Sequence, residues 1–322
     1  MDPIWLIGGG LVLLGLGGEL LVRGSVGAAR AMGVSPLLIG LTLVGFGTST
    51  PELVTSLQAA SLGSPGIAVG NVVGSNIANI LLILGVAALI RPVEFHPKAF
   101  RRDGPVLAIA TAAGVAAVMY GRLSPLLGAA FLTGLAIYIL VSWLQERNAP
   151  PEDVEADRHE DQAQAATPRR PRVLPGLGLA VIGIALTVGG ARLLGDGAIV
   201  VAREWGVPET VIGLTIVAVG TSLPELVASA MAALRGRSDL AFGNVVGSNI
   251  YNVLGILGVT ALVRPIEAPP ELARFDVWIM ALAAALVLAQ RNLRLGRREG
   301  AVLVACYGLY VLAASALASP PP

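Results

Sequence analysis

The chain has 322 residues, of which 55% are hydrophobic and only 13% are charged, with a formal net charge of +1. A soluble domain carries roughly 25% charged residues, so this composition excludes an ordinary soluble globular protein. A net charge near zero also gives no reason to expect a nucleic-acid partner. Apolar runs close to the ~20 residues that span a bilayer as a helix recur along the chain. These runs are too long for barrel strands, so the sequence predicts an all-α polytopic membrane protein.

The apolar runs predict ten transmembrane helices. They lie at residues 3–22, 36–61, 68–90, 104–120, 125–144, 174–193, 209–234, 241–263, 275–290 and 300–318. The first run follows an acidic residue and has no clear cleavage site, so we interpret it as a membrane helix rather than a signal peptide. A polar stretch at 145–173, rich in Glu, Asp and Pro, predicts a flexible loop. It joins two five-helix units at 1–144 and 174–322.

Basic residues set the predicted orientation, because they concentrate on the cytoplasmic side of membrane proteins. If the N-terminus is outside, 17 of the 22 lysines and arginines fall on the cytoplasmic side. The five on the other side are Arg122, Arg192, Arg203, Arg264 and Arg274. The sequence therefore predicts N-out, C-out topology with the 145–173 loop in the cytoplasm.

The two halves repeat each other at an offset of 173 residues without a gap. The segment "VGFGTSTPELVTS" at 44–56 corresponds to "VAVGTSLPELVAS" at 217–229, and "GNVVGSNIANILLILG" at 70–85 corresponds to "GNVVGSNIYNVLGILG" at 243–258. Because each unit has an odd number of spans, the second repeat must be inverted. Inverted repeats around a midplane site are typical of secondary transporters. A duplication kept only for packing would not need identical Thr, Ser, Glu and Asn.

Glu52 and Glu225 are equivalent residues near the middle of their predicted spans. A charge at that depth costs about 2.5–3.5 kcal/mol and indicates function by default. The neighbouring spans contain no Lys, Arg or His away from their ends to neutralise the two carboxylates. Thr48 and Ser49 lie one helical turn from Glu52, and Pro51 frees a backbone carbonyl by breaking the helix. The following span adds a polar stripe with its copy: Asn71, Ser75 and Asn79, and Asn244, Ser248 and Asn252.

The predicted site is built from oxygen atoms alone. Two negative charges among hydroxyl, amide and carbonyl oxygens would balance one calcium ion, whereas zinc or copper would require His or Cys. His96 and His159 fall in predicted loops, and the single Cys306 lies in the last apolar run without a disulfide partner. For Asn71 and Asn244, near a helix start, capping or backbone bonding is at least as good an interpretation as ion binding.

The motifs "GTSTPE" and "GTSLPE", each followed by "GNVVGSN", resemble the alpha-repeats of the sodium/calcium exchanger (cation/calcium antiporter, CaCA) superfamily. The resemblance covers nearly the whole chain and is greatest to the compact prokaryotic type. It implies a calcium/sodium antiporter in the cytoplasmic membrane of a prokaryote, working by alternating access, with no resident cofactor. The complete paired repeat makes one chain sufficient in principle. It implies that spans one and six slide against the rest. The metal-binding residues carried over are Glu52, Glu225, Thr48, Thr221, Ser49, Ser222, Ser75, Ser248, Asn79 and Asn252.

Other functions are weighed against this interpretation. Some relatives have Asp at the positions of Asn79 or Asn252, and the Asn pair here argues against potassium co-transport. A calcium/proton antiporter of the same superfamily would resemble a "GNxxE" motif, which "GNVVGSN" lacks. A cation channel would need an open pore, and an intramembrane enzyme would need a Ser–His or Asp–Asp arrangement.

For Glu19 and its repeat counterpart Arg192, we predict local ion pairs with Arg23 and Asp196.

Overall fold

The computed structural model describes residues 3–95, 97–147, 173–205, 218–290 and 294–318, and nearly all of them are helical. The first half contains α1 (Pro3–Met32), α2 (Pro36–Thr48), α3 (Thr50–Ser61), α4 (Pro65–Ile90), β1 (Val93–Glu94), α5 (Pro97–Tyr120), β2 (Arg122–Leu123) and α6 (Pro125–Arg147). The second half contains α7 (Val173–Glu204), α8 (Ala218–Thr221), α9 (Leu223–Leu234), α10 (Ser238–Val263), β3 (Ile266–Glu267), α11 (Pro270–Arg274), α12 (Asp276–Leu288), β4 (Arg294–Leu295) and α13 (Arg297–Ala318).

Several of these helices are long and apolar enough to cross a membrane. Within the described ranges there are seven, or eight if α2 and α3, which meet at a 43° bend, form one broken span. Helices α9 and α12 are apolar but shorter. The prediction of a mostly helical, multi-pass membrane protein is thus confirmed. Each predicted span overlaps a helix, while the ten-crossing topology and its orientation stay predictions.

Some predicted boundaries were wrong. Helix α1 continues to Met32, beyond the predicted end at residue 22, and α7 continues to Glu204, beyond the predicted end at residue 193. A helix of 30 residues is about 45 Å long, so hydropathy identified only its apolar part. Residues 148–172 of the predicted loop, residues 209–217 of the predicted seventh span, and both histidines lie outside the described residues.

The sequence repeat is also a structural repeat. The bounds of α3 and α9, of α4 and α10, and of β1 and β3 each differ by 173 residues. Strand β1 pairs antiparallel with β4, and β2 pairs antiparallel with β3, so each ribbon joins the two halves. Helix α5 has 24 residues and separates β1 from β2, which places the two ribbons about 36 Å apart at opposite ends of the bundle.

The bundle has a buried central pair of helices and a more exposed outer pair. Helices α4 and α10 are its most buried long helices, whereas much of α1 and α7 is exposed. Helix α10 packs on α2, and α4 packs on α3, so the central pair holds the two repeat motifs. Backbone contact is close here, since a Cβ at Gly247 would lie 2.4 Å from the carbonyl oxygen of Leu41.

Helices α1 and α7 pack against each other through glycines spaced seven residues apart. Gly10, Gly17 and Gly24 of α1 face Gly190, Gly183 and Gly176 of α7. A Cβ at Gly17 would lie 2.6 Å from the backbone nitrogen of Thr187, and one at Gly183 would lie 2.4 Å from that of Leu21. Small residues allow such close approach between membrane helices. The order of the pairs shows that α1 and α7 run antiparallel.

Gly17→Ala is therefore expected to destabilise the protein, because the added methyl group meets backbone that cannot move aside. Overpacking of this kind costs about 1–3 kcal/mol. Gly15→Ala, on the same helix, is the matched control, because a Cβ there meets no atom of a neighbouring described helix within 4 Å. Thermal unfolding in detergent should show a lower Tm for Gly17→Ala alone. Equal Tm values for the two variants would contradict the close packing.

Candidate functional site

The site begins at a break in each repeat motif. Helix α2 ends at Thr48 and α3 starts at Thr50, with Ser49 between them at φ −80° and ψ 9°. Ser222, between α8 and α9, has nearly the same conformation at φ −89° and ψ 5°. A proline follows each break and cannot donate the hydrogen bond that would continue the helix. As a result, Glu52 and Glu225 lie in the first turns of new helices, where a negative charge is favourable.

The two glutamates are bound by hydroxyls from the opposite repeat. The hydroxyl of Ser49 donates to Oε1 of Glu225 at 2.7 Å, and the hydroxyl of Ser222 donates to Oε1 of Glu52 at 3.2 Å. Proximity along one helix had suggested that Ser49 would lie beside Glu52. In the structure, each serine instead binds the glutamate of the other repeat. Neither repeat can therefore complete its half of the site alone.

The central helices add a second pair of hydroxyls. Ser49 Oγ lies 3.1 Å from Ser248 Oγ on α10, and Ser222 Oγ lies 3.4 Å from Ser75 Oγ on α4. Ser248 also donates to the backbone carbonyl of Gly45 at 3.4 Å. Each glutamate is thus flanked by a small cluster of neutral oxygens drawn from both repeats.

Asn71 and Asn244 hold the backbone of the glutamates. The side-chain amide of Asn71 donates to the carbonyl of Glu52 and to the hydroxyl of Ser56, both at 3.0 Å. Asn244 repeats this with the carbonyl of Glu225 at 3.3 Å and Ser229 at 2.9 Å. Of the two interpretations given to these residues, the structure shows the backbone-bonding one.

Asn79 and Asn252 carry buried polar atoms for which the described residues provide no partner. Both are 1% exposed. Within the described residues, the Oδ1 and Nδ2 atoms of Asn79 have no hydrogen-bond partner. The Oδ1 atom of Asn252 likewise has none there. The Nδ2 of Asn252 donates to Oδ1 of Asn76 at 3.3 Å. A wide π-helical turn begins at Asn79, and another begins at Tyr251, the residue before Asn252. Such turns are frequent at functional sites.

The carboxylates themselves show the same deficiency. Glu52 is 1% and Glu225 is 2% exposed, and the Oε2 atom of each lacks a hydrogen-bond partner in the described part of the chain. No described Lys, Arg or His forms an ion pair with either. Buried polar atoms without partners are rare in native proteins and need an explanation. Free carboxylate and amide oxygens with two negative charges suit a hard cation.

All ten residues predicted for the site lie in the described part of the chain. The hydrogen bonds bring together Glu52, Glu225 and the four serines. The Oγ1 atom of Thr48 donates to the carbonyl of Val44 at 3.0 Å and lies 3.4 Å from Oδ1 of Asn244. Thr221 ends α8 directly before the break. Asn76 was missed, although its identity with Asn249 in the shared "GSN" was a signal.

Glu19 lies away from these residues, near the middle of α1 and on the side that faces α9. It pairs with Arg23, as predicted, but also with Arg235, whose Nε donates to Oε2 of Glu19 at 2.8 Å. The predicted pair between Arg192 and Asp196, both described, is not formed. A spacing of four residues permits such a pair, but exposed pairs contribute only a few tenths of a kcal/mol.

Helices broken at buried carboxylates within an apolar bundle are typical of a secondary transporter. Comparison with known proteins gives the family. The family model described as "Sodium/calcium exchanger protein" matches residues 3–144 and 175–316. The chain therefore belongs to the sodium/calcium exchanger family of cation/calcium antiporters, whose members are transporters and not enzymes.

Several relatives match over nearly their whole lengths. The putative antiporter CaxA of Alkalimonas amylolytica is 38% identical over 304 residues, which cover 92% of this chain and 94% of CaxA. The sodium/calcium exchanger MaX1 of Methanosarcina acetivorans is 33% identical over 336 residues, covering 94% of this chain and 95% of MaX1. A structure of the sodium-calcium exchanger NCX_Mj, soaked with Na⁺ and Sr²⁺, aligns with a TM-score of 0.82 at 31% identity, over 96% of this chain and 98% of that one. These similarities confirm the resemblance to the prokaryotic type.

Asn244→Ala is expected to lower the stability of the protein markedly. The substitution leaves the buried carbonyl of Glu225 and the hydroxyl of Ser229 without their donor, at about 1–3 kcal/mol for each unsatisfied group. Thermal unfolding in detergent should show a Tm several degrees below that of the exposed control Gln58→Ala. A Tm equal to that of the control would contradict the backbone-bonding role.

Proposed function

We propose that this protein is a secondary active antiporter that exchanges calcium for sodium by alternating access. The observation that carries the proposal is the pair of buried carboxylates whose Oε2 atoms have no partner among the described residues. Two fixed negative charges without a basic partner are costly to leave empty, so a bound cation should always accompany them. That requirement favours obligatory exchange over leak.

Calcium fits the chemistry of the site best. Calcium takes six to eight oxygen ligands in flexible geometry, and one calcium ion balances two carboxylates. Glu52 and Glu225 would be the shared ligands, and no resident cofactor is needed. The remaining ligands that we assign to the cation sites are Thr48, Thr221, Ser49, Ser222, Ser75, Ser248, Asn79 and Asn252.

Sodium is the proposed counter-ion, rather than a proton. The groups that flank the glutamates are neutral: two serine pairs and the carbonyl of Gly45. The buried Asn79 and Asn252, which we also assign to the cation sites, have neutral oxygens as well. Neutral oxygens can coordinate Na⁺, but they cannot carry a proton at neutral pH as a further carboxylate could. The names of MaX1 and NCX_Mj as sodium/calcium exchangers support this choice.

The proposed architecture is ten transmembrane helices in two inverted five-helix repeats, N-out and C-out. The ribbons β1–β4 and β2–β3 lie at opposite ends of the bundle, as an inverted repeat requires. We place the chain in the cytoplasmic membrane of a prokaryote. Both glutamates and both sets of hydroxyls come from one chain, so a monomer is sufficient for the exchange.

The orientation can be tested by cysteine labelling in a Cys306→Ala background. Glu94→Cys on β1 and Arg122→Cys on β2 place a thiol in each ribbon. A membrane-impermeant maleimide applied to intact cells should label the Arg122→Cys variant and spare the Glu94→Cys variant until the cells are lysed. The reverse pattern would overturn the N-out orientation, and labelling of both would contradict the inverted repeat.

Transport itself is tested in proteoliposomes loaded with sodium and diluted into sodium-free buffer with radioactive calcium. Glu52→Gln and Glu225→Gln should each reduce the initial uptake rate at least tenfold, because each removes a charged ligand. Glu94→Gln, a carboxylate with 71% of its side chain exposed, is the control and should retain wild-type uptake. Uptake that follows a proton gradient without sodium would favour calcium/proton exchange. Ion flow without any counter-ion would favour a channel.

A further inference from the structure

The outer pair of helices packs unequally on the two repeats. Both α1 and α7 pack on α9, whereas neither makes comparable contact with α3, the repeat counterpart of α9, within the described residues. A Cβ at Gly18 of α1 would lie 2.7 Å from Met231 and 2.8 Å from Val227 on α9. Val54, the counterpart of Val227 on α3, is 46% exposed. One sequence repeat is thus seen in two different packing states.

The same inequality is present beside the glutamates. A Cβ at Gly47 would lie 2.3 Å from Ile184 of α7, so Ile184 covers this side of the site. Leu11, the counterpart of Ile184 on α1, is 56% exposed. Correspondingly, no described atom lies within 4 Å of a Cβ built at Gly220, the counterpart of Gly47. The bundle is therefore closed at the α9 end and not closed at the α3 end.

An ion pair lies at the closed end. Arg235, the residue that caps the C-terminus of α9, binds both carboxylate oxygens of Glu19 on α1. The repeat counterpart of Arg235 is Leu62, which caps α3, and the repeat counterpart of Glu19 is Arg192 on α7. Leu62 has no charge and is 84% exposed. When the bundle closes at the α3 end instead, an equivalent ion pair cannot form.

We propose that Glu19 and Arg235 form a one-sided latch that holds α1 and α7 against α9 and biases the antiporter towards the state closed at that end. The bias has no counterpart in the opposite state. Partly exposed ion pairs of this kind shift an equilibrium about two- to fivefold. The inference rests on the proposed alternating access, and with the proposed orientation the closed end is cytoplasmic.

Glycine packing transmits the latch to the site. Glu19 is on α1, but the residue that covers Gly47 is Ile184 on α7. The α1–α7 pair is held together along its length by the facing glycines, where an added Cβ would collide with backbone. A contact made by α1 alone therefore constrains α7 as well, because the two helices cannot slide apart independently.

The test measures how fast a thiol reacts at each end in purified protein, in a Cys306→Ala background. Val227→Cys reports opening at the α9 end and Val54→Cys reports opening at the α3 end. Arg235→Gln should raise the maleimide reaction rate at 227 about two- to fivefold and lower it at 54. Arg235→Lys should restore much of the wild-type ratio. Arg237→Gln, which removes a nearby positive charge that pairs with Asp239 two residues further along the chain, should leave the ratio unchanged.

A second variant tests the proposal from the other side. Leu62→Glu places a carboxylate at the position related to Arg235, where it can meet Arg192 and create the missing latch. This variant should shift the labelling ratio in the opposite direction. Unchanged ratios in both Arg235→Gln and Leu62→Glu would overturn the latch. Labelling requires no transport, so failure of calcium uptake with a responsive ratio would reject the proposed ions and keep the latch.

Discussion

The structure depends on two buried carboxylates that have no basic partner among the described residues. Glu52 and Glu225 each have one oxygen bound by a serine of the opposite repeat and one oxygen that no described donor reaches. A helix start, a hydroxyl and an amide-anchored backbone each offset part of the cost of burying a charge, but none of them neutralises it. The rest of the site is arranged around this remaining negative charge, which only a cation can balance.

The helix break connects that charge to the architecture. Ser49 and Ser222 are the residues at which the chain leaves one helix and enters the next, and they are also the residues that reach across to the opposite glutamate. The interface between the repeats is therefore the site itself. The buried helices α4 and α10 pack around the site. The more exposed α1–α7 pair covers one of its sides and leaves the other less covered. The proposed alternating access would then require movement of the outer pair alone.

Much of this could be predicted because the information is local or repeated. Pro51 and Pro224 mark the breaks, the 173-residue offset gives the correspondence, and polar residues in apolar spans mark the site. The hydrogen bond from Ser49 to Glu225 of the other repeat could not be predicted, because it depends on how the two repeats pack together. Hydropathy likewise missed the full length of α1 because it detects the apolar part of a helix and not where the helix ends. Arg235 as a partner of Glu19 required the packing of α1 on α9, which no sequence pattern records.

The most direct test of the account is a crystal structure of this protein soaked with Sr²⁺ as a calcium substitute. We expect a single strong ion peak between the two repeats, bound by Oε2 of Glu52 and Oε2 of Glu225 at distances at or slightly above the ~2.3–2.6 Å typical of calcium, because Sr²⁺ is the larger ion. High sodium in the soak should remove the peak. An ion bound elsewhere, or two glutamates whose free oxygens are bound by protein donors instead, would contradict the account.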